Sequence, residues 1–302
     1  MSSIPNRSGN ALPASQFMQS LGSKDSGSRD EMIAEEVQRG NVPNFMRSFV
    51  PITISEAGNT LVYSVSPDYL CLGSDQDYIR VPLGAQAAQK IADAFGCMLP
   101  TAKMSNQIWK AAAAKLPPKP MSGITSNISG QAYSPAEFLK KKMTDTDSFV
   151  EHNRLIQEQL SNRRPGELVA GHKKDVVISN ELATRPNKVA IHGLHNTKGQ
   201  AIQGGSWGHD IAYRDYSHGI RLVDKMATLN GKPVSLASIM QDPKNSALVS
   251  DEGPLKLLAY NYEGAKPSNK NQQVAQTPKQ NAGGKDLLQQ IDEYLDQATK
   301  LV

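Results

Sequence analysis

Cysteine is scarce: Cys71 and Cys97 are the only two in 302 residues. A pair this sparse, outside any CxxC spacing, builds no disulfide framework, and a reducing compartment is expected. No run of 18 apolar residues occurs, so no membrane-spanning helix is expected. The opening stretch MSSIPNRSGNALPASQ has neither a basic n-region nor an apolar h-region. No Sec-type signal is therefore expected; the chain reads as cytoplasmic when synthesised, and any export would need a non-classical route. Excess charge is also small, +4 at pH 7. Lys266, Lys270, Lys279 and Lys285, in the acid-free stretch 264–285, account for all of it. The remainder is near neutral and offers no basic face for phosphates, so nucleic acid is not an expected partner.

What is present is 38% hydrophobic residues over a length that can bury a sizeable core. Residues 1–27 are rich in Ser, Gly, Asn and Pro, a composition that predicts a disordered arm. A capping box at Ser28 to Glu31 predicts a helix over 28–40. The alternation in PITISEAGNTLVYSV predicts a hairpin about Gly58 and Asn59, and two short strands should flank the polar turn 73–77. Helices are expected over 84–95 and, capped by Thr101, over 102–114. The PPKP and Ser/Gly stretch reads as a linker over 115–133 between two halves. Ser134 to Glu137 opens a short basic helix, and a second is expected over 148–162. Short apolar runs at 167–170, 176–178, 188–191 and 220–223 then predict strands, with a hairpin turn at Asn230-Gly231. The expected architecture is α+β: a β-rich unit with helices over 28–114, a second α+β unit over 134–263, and flexible ends. A basic disordered tether over 264–285 would lead to a terminal amphipathic helix over 286–302, a candidate for docking a protein partner.

The histidines are unevenly placed. His172, His192, His195, His209 and His218 fall within residues 172–218, where even spacing of six histidines would put about one. Asp175, Asp210 and Asp215 lie among them in a Gly-rich context. Imidazoles held at strand ends beside carboxylates have the parts for proton transfer or metal ligation. His218 and His192 are the candidate acid and base, with Asp215 beside them, while Ser217 is expected to shape the turn. Lys173, Lys174, Arg214 and Arg221 are candidates for gripping a substrate carboxylate. Cys97, just ahead of the Thr101 helix, is the candidate thiol nucleophile, because a helix N-terminus lowers a thiol pKa.

The segments "VAIHG" (189–193) and "SHGIRLV" (217–223) resemble the active-site signature of the L,D-transpeptidases, which build or edit cell-wall peptide cross-links. That resemblance implies acyl transfer on peptide bonds, with His192 and His218 as its histidines and Arg221 as its arginine. Ile220 stands where the family carries its cysteine, so the thiol step does not carry over. More of the chain, including "GNVPNFMRSFVPITI", "GCMLPT", "GHKKDVVI" and "DYSHGIRLV", is similar to an uncharacterised bacterial family that implies no reaction. The leading expectation is a hydrolase or acyl-transferase acting on peptide bonds, with a cell-wall peptide as substrate. Two rivals stand beside it. One is a zinc hydrolase with His172, Asp175 and His192 as ligands. The other is a noncatalytic binding or assembly protein of a larger bacterial or phage-like complex.

Overall fold

The structure is a computed structural model that describes residues 3–22, 24–121, 142–161 and 163–261. It is mixed α+β. Helix α1 (Ala14–Leu21) and helix α2 (Ser26–Gln38) come first, followed by the hairpin β1 (Val50–Glu56) and β2 (Asn59–Val65) and the short pair β3 (Cys71–Gly73) and β4 (Tyr78–Arg80). Helix α3 (Ala85–Ala94), strand β5 (Cys97–Met98), helix α4 (Ala102–Ala111) and strand β6 (Ala114–Lys115) complete the first half. Helix α5 (Thr146–Gln159) opens the second. Strands β7 (Val169–Ala170), β8 (Lys174–Val177), β9 (Ala190–His195), β10 (Ala201–Ser206), β11 (His218–Gly219), β12 (Val223–Leu229) and β13 (Lys232–Ser235) follow, then helix α6 (Leu236–Gln241). No helix among the described residues is long and apolar enough to cross a membrane.

Local chemistry sets the ends of these elements. The Asp25 carboxylate accepts from the amides of Gly27 and Ser28, so α2 begins two residues before the position its capping box suggested. Thr101 caps α4 and Asp145 caps α5 in the same way. The β1–β2 turn uses Ala57 and Gly58, both at positive φ, one residue earlier than expected. Asn230 and Gly231 also take positive φ between β12 and β13, as a two-residue hairpin turn requires.

Two expectations fail here. The N-terminal residues do not form a disordered arm: α1 buries Phe17, Met18 and Leu21 in the common core, and apolar spacing at i, i+1 and i+4 outweighs the polar composition around it. Nor does 115–133 divide two cores. Strand β12 from the second half lies between β2 and β13, with β5 also paired to it, in one sheet of order β1-β2-β12-β13. The main hydrophobic cluster runs from Ala14 to Tyr260 and draws on both halves, with a small second one of Ala114, Leu116, Ile156 and Val169 beside it. The expected helix after Ser134, the basic tether and the terminal helix lie outside the described residues.

The second sheet, of order β10-β9-β8-β11, positions the site. Every residue of β8 and β9 is buried, so the middle of this sheet is covered on both faces, while the edge strand β10 is part-exposed. Helix α4 packs on one of them.

Candidate functional site

Strand β8 and the two residues before it read His172-Lys173-Lys174-Asp175, and all four are buried. Neighbours on a strand point to opposite faces, so this string is distributed to different surroundings. Lys174 pairs in register with His218 of β11, and Asp175 pairs with His192 of β9. His218 and His192 therefore stand on opposite faces of the sheet. The expectation of one pocket joining them is corrected by this alternation.

On the face shared by Lys174 and His218, the carboxylate of Asp215 gathers the polar groups. Its Oδ1 accepts from the Ser217 amide at 2.7 Å and the Ser217 hydroxyl at 2.5 Å. Its Oδ2 lies 3.3 Å from Lys174 Nζ, 3.4 Å from the Tyr213 hydroxyl and 4.0 Å from His218 Nε2. Burial alone would raise the Asp215 pKa; Lys174, then His218 and the Ser217 bonds, outweigh it and hold the carboxyl well below its usual range. His218 is 0% exposed, and neither ring nitrogen has a hydrogen-bond partner. Burial pushes its pKa down to about 3 despite Asp215, so the ring is neutral. Tyr213, half-buried, meets His218 edge-on at 5.7 Å, and the half-buried His209 stacks on Tyr213 at 4.0 Å. A file of three rings thus runs from the sealed carboxylate toward solvent. Ser217 does shape the local turn through Asp215.

The segment carrying Tyr213 also walls a cavity of about 510 Å³, lined by Asp30, Glu31, Lys90, Ile211, Ala212 and Arg214 among others. Its volume falls in the range of small-ligand clefts. Arg214 does not await a substrate carboxylate: it is 2.8 Å from Asp30, whose own pKa is raised by burial to about 6.

Beyond Lys173 lies a second buried group. Lys173 Nζ donates to the Tyr216 carbonyl at 2.7 Å and sits 3.4 Å from His152 Nδ1. Burial, with Arg80 nearby, pushes this amine from 10.5 down to about 7. His152, the one histidine outside the sequence cluster, is therefore inside the spatial one. His172 lies 3.7 Å from Asp68, which is held by Arg80 at 2.6 Å. Both ring nitrogens of His172 lack hydrogen-bond partners, and burial pushes its pKa well down.

The remaining expected residues go elsewhere. Arg221 is 0% exposed, gives its guanidinium to the carbonyls of Ser66 and Val169, and covers the Tyr69 ring at 4.2 Å; it ties strands together and is not a substrate clamp. Cys97 is paired into β5, fully buried, and burial pushes its thiol up to about 12, which removes it as a nucleophile. Asp175 accepts from Ser105 Oγ at 2.5 Å and from Tyr69, and burial raises its pKa to about 6. The proposed ligand set His172, Asp175 and His192 is not assembled: the Tyr69 ring lies against His172 and its hydroxyl reaches Asp175, while the His192 ring turns to Asn106. Among the described residues no three His, Cys, Asp or Glu side chains gather about one point. His192 instead meets His195 at the side chain of Asn106 on α4.

Sequence reasoning missed Asp68, Arg80, Asn106, His152 and the separate role of Lys173. Only the unusual HKKD string inside an apolar strand carried a signal, since consecutive charges rarely enter a core. Comparison of the chain with protein-family models, with curated proteins and with solved structures finds no match.

Proposed function

We propose that the protein is a hydrolase or acyl-transferase acting on peptide bonds by general acid–base catalysis, with the His218, Asp215 and Lys174 group as its proton-transfer centre. One observation carries this reading: an imidazole with no hydrogen-bond partner is kept fully buried 4.0 Å from a carboxylate that also pairs with Lys174. Unsatisfied buried groups cost about 1–3 kcal/mol each and persist where function needs them. The cleft beside 211–214 has Glu31 and Lys90 in its lining besides the Arg214–Asp30 pair, one charge of each sign for a peptide that carries both. A buried imidazole with so low a pKa is a weak base, so this reading requires substrate or solvent to reach the ring past Tyr213, which meets it edge-on at 5.7 Å.

The test compares wild type, His218→Gln and His218→Leu on peptidoglycan fragments, with melting measured for each. Loss of turnover in both variants, with His218→Leu at least as stable as wild type, is the expected result. Unchanged turnover in His218→Gln overturns the assignment. The opposing reading, a noncatalytic binding or assembly protein, is favoured by the seal itself, as Lys174, Asp215 and His218 are 4%, 1% and 0% exposed. On that reading no peptide is cleaved and His218→Leu changes stability alone.

A further inference from the structure

Tyr260 and Asn261 anchor the chain beside a cavity. The Tyr260 hydroxyl sits between β8 and β9, donating to the Val177 carbonyl at 2.6 Å and accepting from the Ala190 amide at 2.9 Å. Its own amide donates to Gln89 Oε1 at 3.2 Å, and one residue later the Asn261 carbonyl accepts from Gln86 Nε2 at 3.1 Å. Both glutamines belong to α3, and Gln86 also lines the cavity of about 510 Å³. Whatever follows Asn261 therefore starts at its rim. The cavity is a groove between two helices: α2 contributes Gly27, Asp30 and Ala34, spaced as one helix face, and α3 contributes Gly84 and Ala87. Side chains this small let a third helix approach to the usual 8–10 Å between axes.

The sequence beyond Asn261 holds a piece of matching chemistry. In DLLQQIDEYLDQATKLV (286–302), Leu287, Leu288, Ile291, Tyr294, Leu295 and Ala298 recur at helical spacing, and Asp286, Asp292, Glu293 and Asp296 fall on the other side of the helical wheel. A helix of this length is marginal in water and is stabilised by burying such a stripe. We propose that residues 286–302 dock in cis as an amphipathic helix in the groove between α2 and α3, with the apolar stripe against Ala34, Ala87 and Ile211. The connection is long enough: residues 262–285 as a coil span about 25–30 Å, and a helix over 286–302 is about 25 Å long. Such a tether sets an effective concentration on the order of 1 mM. A segment whose free affinity is only about 100 µM is then seated about nine-tenths of the time, and a second copy competes poorly at any lower protein concentration. The docking does not depend on the acid–base reading; where that reading also holds, the seated segment and a substrate peptide compete for one cleft.

Hydrogen exchange read by mass spectrometry on the full chain, at low micromolar concentration, tests this. Amides of 286–302 are expected to exchange about tenfold slower than in the same peptide free in solution. Ala87→Arg sets a long cationic side chain at a half-buried position of the groove, and Leu295→Asp sets a charge in the stripe itself. Each should return the segment to the free-peptide rate while β8 and β9 stay protected. Lys90, exposed on the rim, should be acylated faster in Leu295→Asp than in wild type, a readout of place that does not depend on how the core tolerates Ala87→Arg. Free-peptide exchange in the wild-type chain, equal acylation of Lys90, protection that survives Ala87→Arg, or protection that grows with protein concentration overturns the proposal. Exchange needs no turnover, so failure here leaves the acid–base reading standing.

Discussion

Replacing Lys173 by methionine removes a buried amine while keeping most of its stem volume. The side chain is 2% exposed, and its Nζ meets a carbonyl and an imidazole but has no carboxylate among its hydrogen-bond partners. The fall of its pKa from 10.5 to about 7 expresses the cost of charging it there. At about 1.4 kcal/mol per tenfold, that difference corresponds to about 5 kcal/mol as an upper bound. Methionine forfeits the bond to the Tyr216 carbonyl, about 1–2 kcal/mol. The variant should therefore be more stable than wild type by about 2–4 kcal/mol near pH 6.

The sign of the pH dependence is fixed by the same numbers. Between about 7 and 10.5 the unfolded lysine holds a proton that the folded one has released. Wild-type stability then rises with pH by up to about 1.4 kcal/mol per pH unit, and this contribution is lost as pH falls through 7. The methionine variant has no such slope, so its advantage is full below neutrality, shrinks through about pH 8–9 and vanishes above. Urea denaturation of both proteins at several pH values reads the gap directly, and other titrating groups cancel in the difference. A gap that stays flat with pH, or a wild type more stable at the acid end, refutes the reasoning.

Gly219→Ala would put a Cβ 2.4 Å from the Tyr69 ring, which is 1% exposed and covered by Arg221, so a loss of about 2–3 kcal/mol is expected in urea midpoints; no loss would mean that Tyr69 yields. Phe17→Ala should cost about 3 kcal/mol, because its ring belongs to the common core, whereas a freely moving arm would leave stability untouched. Both thiols of the native chain should resist a disulfide reagent and react only after unfolding, since Cys71 and Cys97 are 0% exposed and burial raises both pKa values. Fast labelling of Cys97 in the folded protein would return it to the list of nucleophiles.

Local signals were the readable part of this chain. Thr101 caps α4, Asn230-Gly231 turns a hairpin and β1–β2 alternates as drawn, because each depends on residues within a few positions of one another. The α+β class followed from those elements. Pairings of high sequence separation were not readable. Nothing in 59–65 or 223–229 announces that these strands meet, and this one pairing turns two expected units into a single core. The site failed for a related reason. Proximity of five histidines along the chain does not become proximity in space, because a strand with two buried faces sorts successive side chains apart. His152, some twenty residues before the cluster, reaches it through α5, while His192 leaves it.

That sorting has an energetic consequence. A strand buried on both faces normally carries apolar residues on each, so polar side chains on β8 must find partners separately above and below. Lys174 finds Asp215 on one face, and Asp175 finds Ser105 and Tyr69 on the other. Each carboxylate is held by residues on its own face, so changes at the two should not communicate. His218→Leu and Asn106→Asp, which share no contact among the described residues, should alter stability additively to within about 0.5 kcal/mol in a double-mutant cycle. A coupling well beyond that would mean that the sheet moves as a lever between its faces, and the acid–base centre and the Asn106 group would then have to be read as one device.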